Sequence, residues 1–394
     1  MLPALKRLAR AQLEHFQLPP AAKAAMRKDH LGLPVADPGN SAVENAALSW
    51  LCAAQDRSAS ADGGAARHFS VVTGWSTSYP ETSGYIVPTL IDAGLRRGDE
   101  SLLARARRML DWLVGIQFPE GGFQGGMIGQ TPVVPVTFNT GQILLGLSAG
   151  LRQWGSPYLE PTHRAAAWLA DSLDPDGCWR RHPTPFAAPG EKTYETHVAW
   201  GLFEAARATG EERYRDAAAR NVRWALTHQR DNGWFDQCCL ADPAAPLTHT
   251  IGYVLRGVVE GYLHTSDPEM LAAARRTADG VLGALRPDGF LAGRLDQNWR
   301  GTVEWVCLTG SAQIAHSLLL LFRETGDERY RRAASALLSY VRRTVAVAGP
   351  AETCGAVRGS FPIDGAYGRF EYLNWACKFL IDAIVLENDV TKRA

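Results

Sequence analysis

The sequence has no apolar run approaching the roughly 20 residues that a helix needs to cross a bilayer. A membrane span is therefore not expected. It also has no excess of either charge: 41 Lys and Arg stand against 41 Asp and Glu. That balance removes the basic footprint with which a non-specific binder neutralises phosphates, so nucleic acid is not an expected partner. Cysteine is sparse and odd in number, seven in 394 residues, which excludes a disulfide framework and predicts buried free thiols in a reducing compartment. Residues 1–16, MLPALKRLARAQLEHF, alternate basic and apolar side chains at helical spacing without the apolar stretch of a secretory signal. They read as an amphipathic docking helix on a soluble, cytoplasmic protein.

What the sequence does contain is a repeat. GDESLLARARRMLDWLVGIQ, EERYRDAAARNVRWALTHQ, DPEMLAAARRTADGVLGAL and DERYRRAASALLSYVRR are copies of one amphipathic helix, with acidic residues in the first turn and arginines further along. Asp99, Asp267 and Asp327 stand where N-caps belong. A Gly-aromatic turn follows each such helix, at 119–126, 174–182, 230–237 and 286–295, and then a second, more continuously apolar helix such as TIGYVLRGVVEGYL or SAQIAHSLLLLF. Amphipathic helices alternating with apolar ones through short connections predict an all-α fold, an (α/α)6 toroid with outer and inner rings. Six inner helices open near Glu81, Asn139, Glu195, His249, Glu304 and Glu371, at steps of 58, 56, 54, 55 and 67 residues. The longest step holds AGPAETCGAVRGSFPIDGAYG, a Gly-rich loop expected to cover the mouth of the ring. Residues 1–42 form a helical extension in this reading, and 43–390 form the toroid.

Parallel inner helices bring the segments before them to one end of the ring. Those segments, TSYPETSGY, VTFNTGQ, KTYETHVAW, LTHTIGYVLRG, GTVEWVCLTGSAQ and YGRFEYLNW, carry more polar and aromatic groups than helix capping requires. They predict a pocket whose substrate-binding residues are Tyr79, Glu81, Tyr85, Gln142, Tyr194, Gln313, Tyr367 and Tyr372. Trp200, Trp299, Trp305 and Trp375, with Trp75, are its expected walls. Aromatic planes beside hydrogen-bonding groups suit sugar rings.

Two chemistries fit. Abstraction of a uronate C5 proton, by a lyase or epimerase, needs a base, an acid and a group that neutralises the carboxylate. His249, Tyr253 and Arg256 follow one another at steps of four and three, on one helix face, with Asn139 and His197 expected across the pocket. This set leads. Glycoside hydrolysis needs paired carboxylates, for which Glu81, Glu195, Glu304 and Glu371 are candidates. No cofactor is expected; zinc is a minor alternative, with Asp236, Cys238, Cys239, His249 and Cys307 as donors at a spacing that matches no zinc signature.

SYPETSGYIVPTLID, GGFQGG, FNTGQILLGL, ETHVAWGLFEA, NGWFDQCCL, LDQNWRGTVEWVCLTGSAQIA and GSFPIDGAYGRFEYLNWACKFLIDA occur in order and at repeat spacing. Together they resemble the VpsJ-type polysaccharide biosynthesis proteins, over nearly the whole chain from about Asn45. The resemblance implies a role in making or processing an exopolysaccharide or surface glycan, with a glycan or lipid-linked glycan as substrate. It implies no reaction. In architecture the predicted ring is also similar to uronate epimerases, alginate-type lyases, unsaturated glucuronyl hydrolases and terpenoid cyclases. The chain lacks the DxDD acid of protonating cyclases, and a terpenoid or prenyl enzyme predicts an apolar cavity. A non-catalytic glycan-binding component of the synthesis machinery is the remaining alternative.

Overall fold

The computed structural model describes residues 17–393. The amphipathic opening segment, residues 1–16, lies outside them. A short helix, α1 (Pro20–Asp29), precedes twelve that pair into six hairpins. The outer members are α2 (Asn40–Asp56), α4 (Glu100–Gly115), α6 (Leu159–Ser172), α8 (Glu212–Leu226), α10 (Pro268–Ala284) and α12 (Glu328–Arg343). The inner members are α3 (Pro80–Arg97), α5 (Thr137–Trp154), α7 (Thr196–Thr209), α9 (Thr248–Thr265), α11 (Leu308–Thr325) and α13 (Asn374–Arg393). Each inner helix packs on the next, and α13 returns to α3, which closes an (α/α)6 toroid. No helix among the described residues is long and apolar enough to cross a membrane.

The predicted caps are present. Asp99 accepts from the backbone N–H groups of Ser101 and Leu102, Asp267 from that of Glu269 and Asp327 from that of Arg329, satisfying donors that a helix start leaves open. The turn glycines do more than bend the chain. At Gly233 and Gly289, both at positive φ, a Cβ would fall 2.3 Å from the backbone carbonyl oxygens of Arg276 and Ala336. Each Gly-aromatic turn is thus pressed onto the backbone of the next outer helix, and any side chain would hold the repeats apart.

Glycine also lets the inner helices approach. A Cβ on Gly146 would lie 2.3 Å from the carbonyl oxygen of Gly84, and one on Gly201 would lie 2.4 Å from that of Gly141. The inner ring is therefore narrow, and a cavity opens at each of its two ends.

Short strands stitch the first and last repeats together around one end. β1 (His68–Ser70) forms a hairpin with β2 (Gly74–Trp75) and pairs antiparallel with β5 (Glu371–Leu373), setting Phe69 opposite Tyr372 and Ser70 opposite Glu371. β3 (Val306–Cys307) pairs with β4 (Ser360–Phe361), which anchors the long Gly-rich loop over the mouth.

Candidate active site at the mouth of the ring

At the end where the inner helices begin, a cavity of about 440 Å³ opens. Ten of the residues read from the sequence line it: Tyr79, Glu81, Tyr85, Asn139, Tyr194, His249, Tyr253, Tyr367, Glu371 and Trp375. Tyr367 comes from the Gly-rich loop, which covers the mouth as expected.

Glu81 sits in the first turn of α3 and is buried. Its Oε2 accepts from the Tyr79 hydroxyl at 2.5 Å and from Asn139 Nδ2 at 3.0 Å. Burial dominates its titration and pushes the carboxyl up to about 7, although the Tyr79 hydrogen bond and the Arg67 charge both favour the ionised form. Near neutral pH this is a carboxyl group able to give a proton into the cavity.

His249, the second residue of α9, lies on the same wall. Its Nδ1 meets Gln313 Oε1 at 2.7 Å. An amide oxygen only accepts, so Nδ1 carries the proton and Nε2 keeps its lone pair. Burial lowers the imidazole to about 4, so the ring is neutral over the physiological range. Tyr253, one turn on, packs 4.3 Å from the His249 ring and hydrogen-bonds Tyr85 through its hydroxyl. Burial raises both phenols far above their usual range.

Glu371 is not free for proton transfer. Arg67 binds its Oε2 at 2.8 Å, also donates to His68 Nδ1 at 2.8 Å, and stacks over Trp375 at 5.0 Å. Burial holds His68 at about 4, Glu371 pulling upward and Arg67 pushing further down. Arg67 and His68 were missed in the sequence, as were Gln130, Phe138 and Phe186, which also line the cavity. Arg67, His68, Gln130 and Phe186 come from a strand and loops that reach the site only through tertiary pairing, whereas Phe138 stands in the first turn of α5, beside Asn139.

The remaining expected residues lie elsewhere. Arg256 and Trp200 line a second cavity of about 320 Å³ at the opposite end of the ring, where the guanidinium stacks on the indole at 4.0 Å and pairs with Glu260 at 2.6 Å. The expected His249–Tyr253–Arg256 face is therefore split between the two ends. His197 is buried behind Tyr253, its Nδ1 on Gln142 Oε1 at 2.6 Å, so neither His197 nor Gln142 reaches the mouth; Gln313 likewise stands behind His249. Glu304 is exposed on the loop before β3, four residues short of α11, and joins no carboxylate pair. Tyr372 alternates away from Glu371 along β5 and packs against Arg358. Trp299 and Trp305 pack over Gly280 and Gly293, and Trp75 sits on Trp50 at 5.3 Å. Glu195 lines an adjoining side pocket.

The thiol donors do not converge either. Among the described residues no three His, Cys, Asp or Glu side chains are grouped to hold a metal ion. Asp236 is paired with Arg230 at 2.8 Å, His249 with Gln313, and burial raises Cys238 and Cys307 to about 12.

No protein-family model matches the chain, and no curated protein matches it in sequence. The resemblance to VpsJ-type proteins thus stands on the motifs alone. Solved structures do match. A heparin-specific unsaturated glucuronyl hydrolase superposes with a TM-score of 0.72 at 18% identity, over 90% of this chain and 99% of its own. The unsaturated glucuronyl hydrolase of Bacillus sp. GL1, responsible for glycosaminoglycan degradation, gives 0.70 at 17% identity, over 90% and 98%. A variant of the Streptococcus agalactiae enzyme complexed with dGlcA-GalNAc6S gives 0.63 at 13% identity, over 92% and 94%. At such identities the likeness establishes the shared toroid and leaves the chemistry to the site.

Proposed function

We propose that this chain is a glycoside hydrolase acting on a uronate-containing glycan, with Glu81 as the proton donor. The observation that carries the reading is the Glu81 carboxyl, buried in an aromatic-lined cavity and protonated up to about pH 7. The fold neighbours support the substrate class, since those enzymes act on unsaturated glucuronyl units.

This order reverses the sequence-based preference for C5 proton abstraction. That preference rested on His249, Tyr253 and Arg256 sharing one face, and Arg256 opens onto the other cavity. Paired-carboxylate hydrolysis is not favoured either, because Glu371 is tied to Arg67, Glu304 is outside, and Glu195 lines the adjoining pocket and not the cavity that holds Glu81. One acid and one base suffice, however, for an unsaturated uronyl unit, whose ring double bond is an enol ether. Glu81 protonates the alkene carbon and water adds at the neighbouring ring carbon; the resulting hemiketal opens to a ketone, leaving at the anomeric carbon a hemiacetal that collapses to an aldehyde and releases the second sugar as its alcohol. Neutral His249 takes the proton from the water through Nε2. Tyr79 and Asn139, already on Oε2, stabilise the carboxylate that Glu81 becomes. Arg67 is the cation on the cavity wall that faces the uronate carboxylate. The same polar wall disfavours a terpenoid or prenyl substrate. The exopolysaccharide setting implied by the VpsJ-like motifs is the setting we propose for the glycan.

Incubation with unsaturated glucuronyl disaccharides tests this. The ultraviolet absorbance of the conjugated double bond should fall with wild type and stay constant with Glu81→Gln. Rising absorbance from an intact polyuronate would instead establish elimination and overturn the proposal.

A further inference from the structure

Beside the mouth cavity lies a pocket of about 240 Å³, and the two share Phe138, Thr184 and Tyr194 as common wall. Its far side is the 183–192 loop, held by Arg180, which binds Glu191 at 2.8 Å, Asp174 at 3.0 Å and Asp176 at 2.7 Å. Arg180 is thereby fully committed. Two ionisable side chains that line the pocket are not.

Lys192 is buried, 8% exposed, and no salt bridge joins it to any described residue. Its electrostatic neighbours are the Glu195 carboxyl and the Cys238 and Cys239 thiols. Glu195 is also buried, at 7%, and its Oε2 has no hydrogen-bond partner. Burial raises that carboxyl to about 8, so it stands mostly neutral at pH 7 and leaves Lys192 without a full counter-charge. A lysine without a salt bridge, lining the same pocket as a buried carboxyl whose Oε2 is unpartnered, fits an anion that arrives with the ligand.

We propose that this pocket is a second subsite in which Lys192 and Glu195 bind an anionic substituent, a carboxylate or a sulfate, on the sugar adjoining the one that meets Glu81. This rests on the reading of the mouth cavity as a uronyl site and extends it to the neighbouring unit. Lys192 supplies the charge and Glu195 a hydrogen bond to the same anion, while Phe138 and Tyr194 separate the two sugars. The preferred substrate is then a glycan with acidic groups on consecutive units.

The test uses three disaccharides that share the unsaturated glucuronyl unit and carry a neutral, a carboxylated or a sulfated second sugar. Affinities are read by calorimetry on the Glu81→Gln chain, so that no substrate is consumed. We expect at least one acidic disaccharide to bind about tenfold more tightly than the neutral one, and the better of the two names the anion. Lys192→Met should bring that ratio close to one, and Lys192→Arg should keep it, which separates a lost charge from a lost fold. Equal binding of all three to the Lys192 chain overturns the subsite, while turnover of the neutral disaccharide by wild type would still uphold Glu81. A Lys192-dependent acid preference without wild-type turnover upholds the subsite and removes the hydrolase reading. No binding of any of the three overturns both.

Discussion

Tyr253 and Arg256 stand three residues apart on α9 and open onto opposite ends of the ring. Three residues advance the helix by only about 4.5 Å. At that level Phe379 fills the bore, with ring centroids 6.2 Å from Tyr253 and 6.4 Å from His197. Tyr253 lies on the mouth side of this plug. The longer Arg256 side chain reaches past it to Trp200, His316 and Glu260.

Arg256 is therefore expected to hold the ring together and to take no part at the mouth. Arg256→Met leaves the buried Glu260 carboxylate without its closest cation, a change that costs about 3 kcal/mol. Thermal melting should show that loss, and turnover per folded molecule should be retained. Loss of turnover with an unchanged melting temperature would return Arg256 to the chemistry.

The inner-helix crossings give a second prediction. Alanine is the better helix former by about 1 kcal/mol, yet at Gly201 its Cβ would lie 2.4 Å from the Gly141 carbonyl oxygen, a backbone atom that cannot turn aside. Gly201→Ala should destabilise the chain by about 2 kcal/mol or more through overpacking. At Gly283 in α10 a Cβ meets nothing within 4 Å, so Gly283→Ala should be neutral or stabilising. Denaturant melts of the two variants should move in opposite directions.

The ring was legible because its signals are local. Acidic first turns, caps at Asp99, Asp267 and Asp327, and the four Gly-aromatic turns all act within a few residues. The choice of Glu81, Asn139, His249 and Tyr253 was legible for the same reason: each lies in the first two turns of an inner helix. Periodicity reports the face a residue occupies but not its depth along the axis, which is why Arg256 and Trp200 were misplaced. Arg67 and His68 were invisible because they reach the mouth only once β1 pairs with β5, some 300 residues away. Glu304 failed differently. Two residues of β3 intervene before α11, leaving it in a loop.

Gln313 is expected to act on the reaction through His249. Gln313→Leu removes the acceptor that fixes the imidazole tautomer, and kcat should fall about 10- to 100-fold with a smaller change in KM. Gln313→Glu keeps an acceptor but adds a negative charge, which favours the imidazolium. The acid limb of the pH profile, set near 4 by His249, should then move upward. A residue that only filled space would leave that limb where it is.

Glu81 carries a cost in stability that its substitution should reveal. Its carboxyl titrates at about 7 in the folded chain and that of Glu195 at about 8, against 4.5 for an exposed glutamate. Between 4.5 and those values the folded chain holds protons that the unfolded chain has released, so these groups lower stability as pH rises. His68 and His249 act oppositely. Held at about 4 against 6.5, they leave the unfolded chain with more protons between those limits, and their contribution grows with pH until 6.5. From pH 6.5 to 8 the two carboxyls still lower stability, while Lys378, whose charged form burial disfavours, works the other way, so the Glu81 contribution is read from a variant. Glu81→Gln keeps the acceptor for Tyr79 and Asn139 without the charge. At pH 8 it should be more stable than wild type by on the order of 3 kcal/mol, with the difference vanishing towards pH 4.5. The same variant should be inactive at every pH. Melting curves that coincide at pH 8 would mean that Glu81 folds in its ionised form, and the site would then have no proton to give.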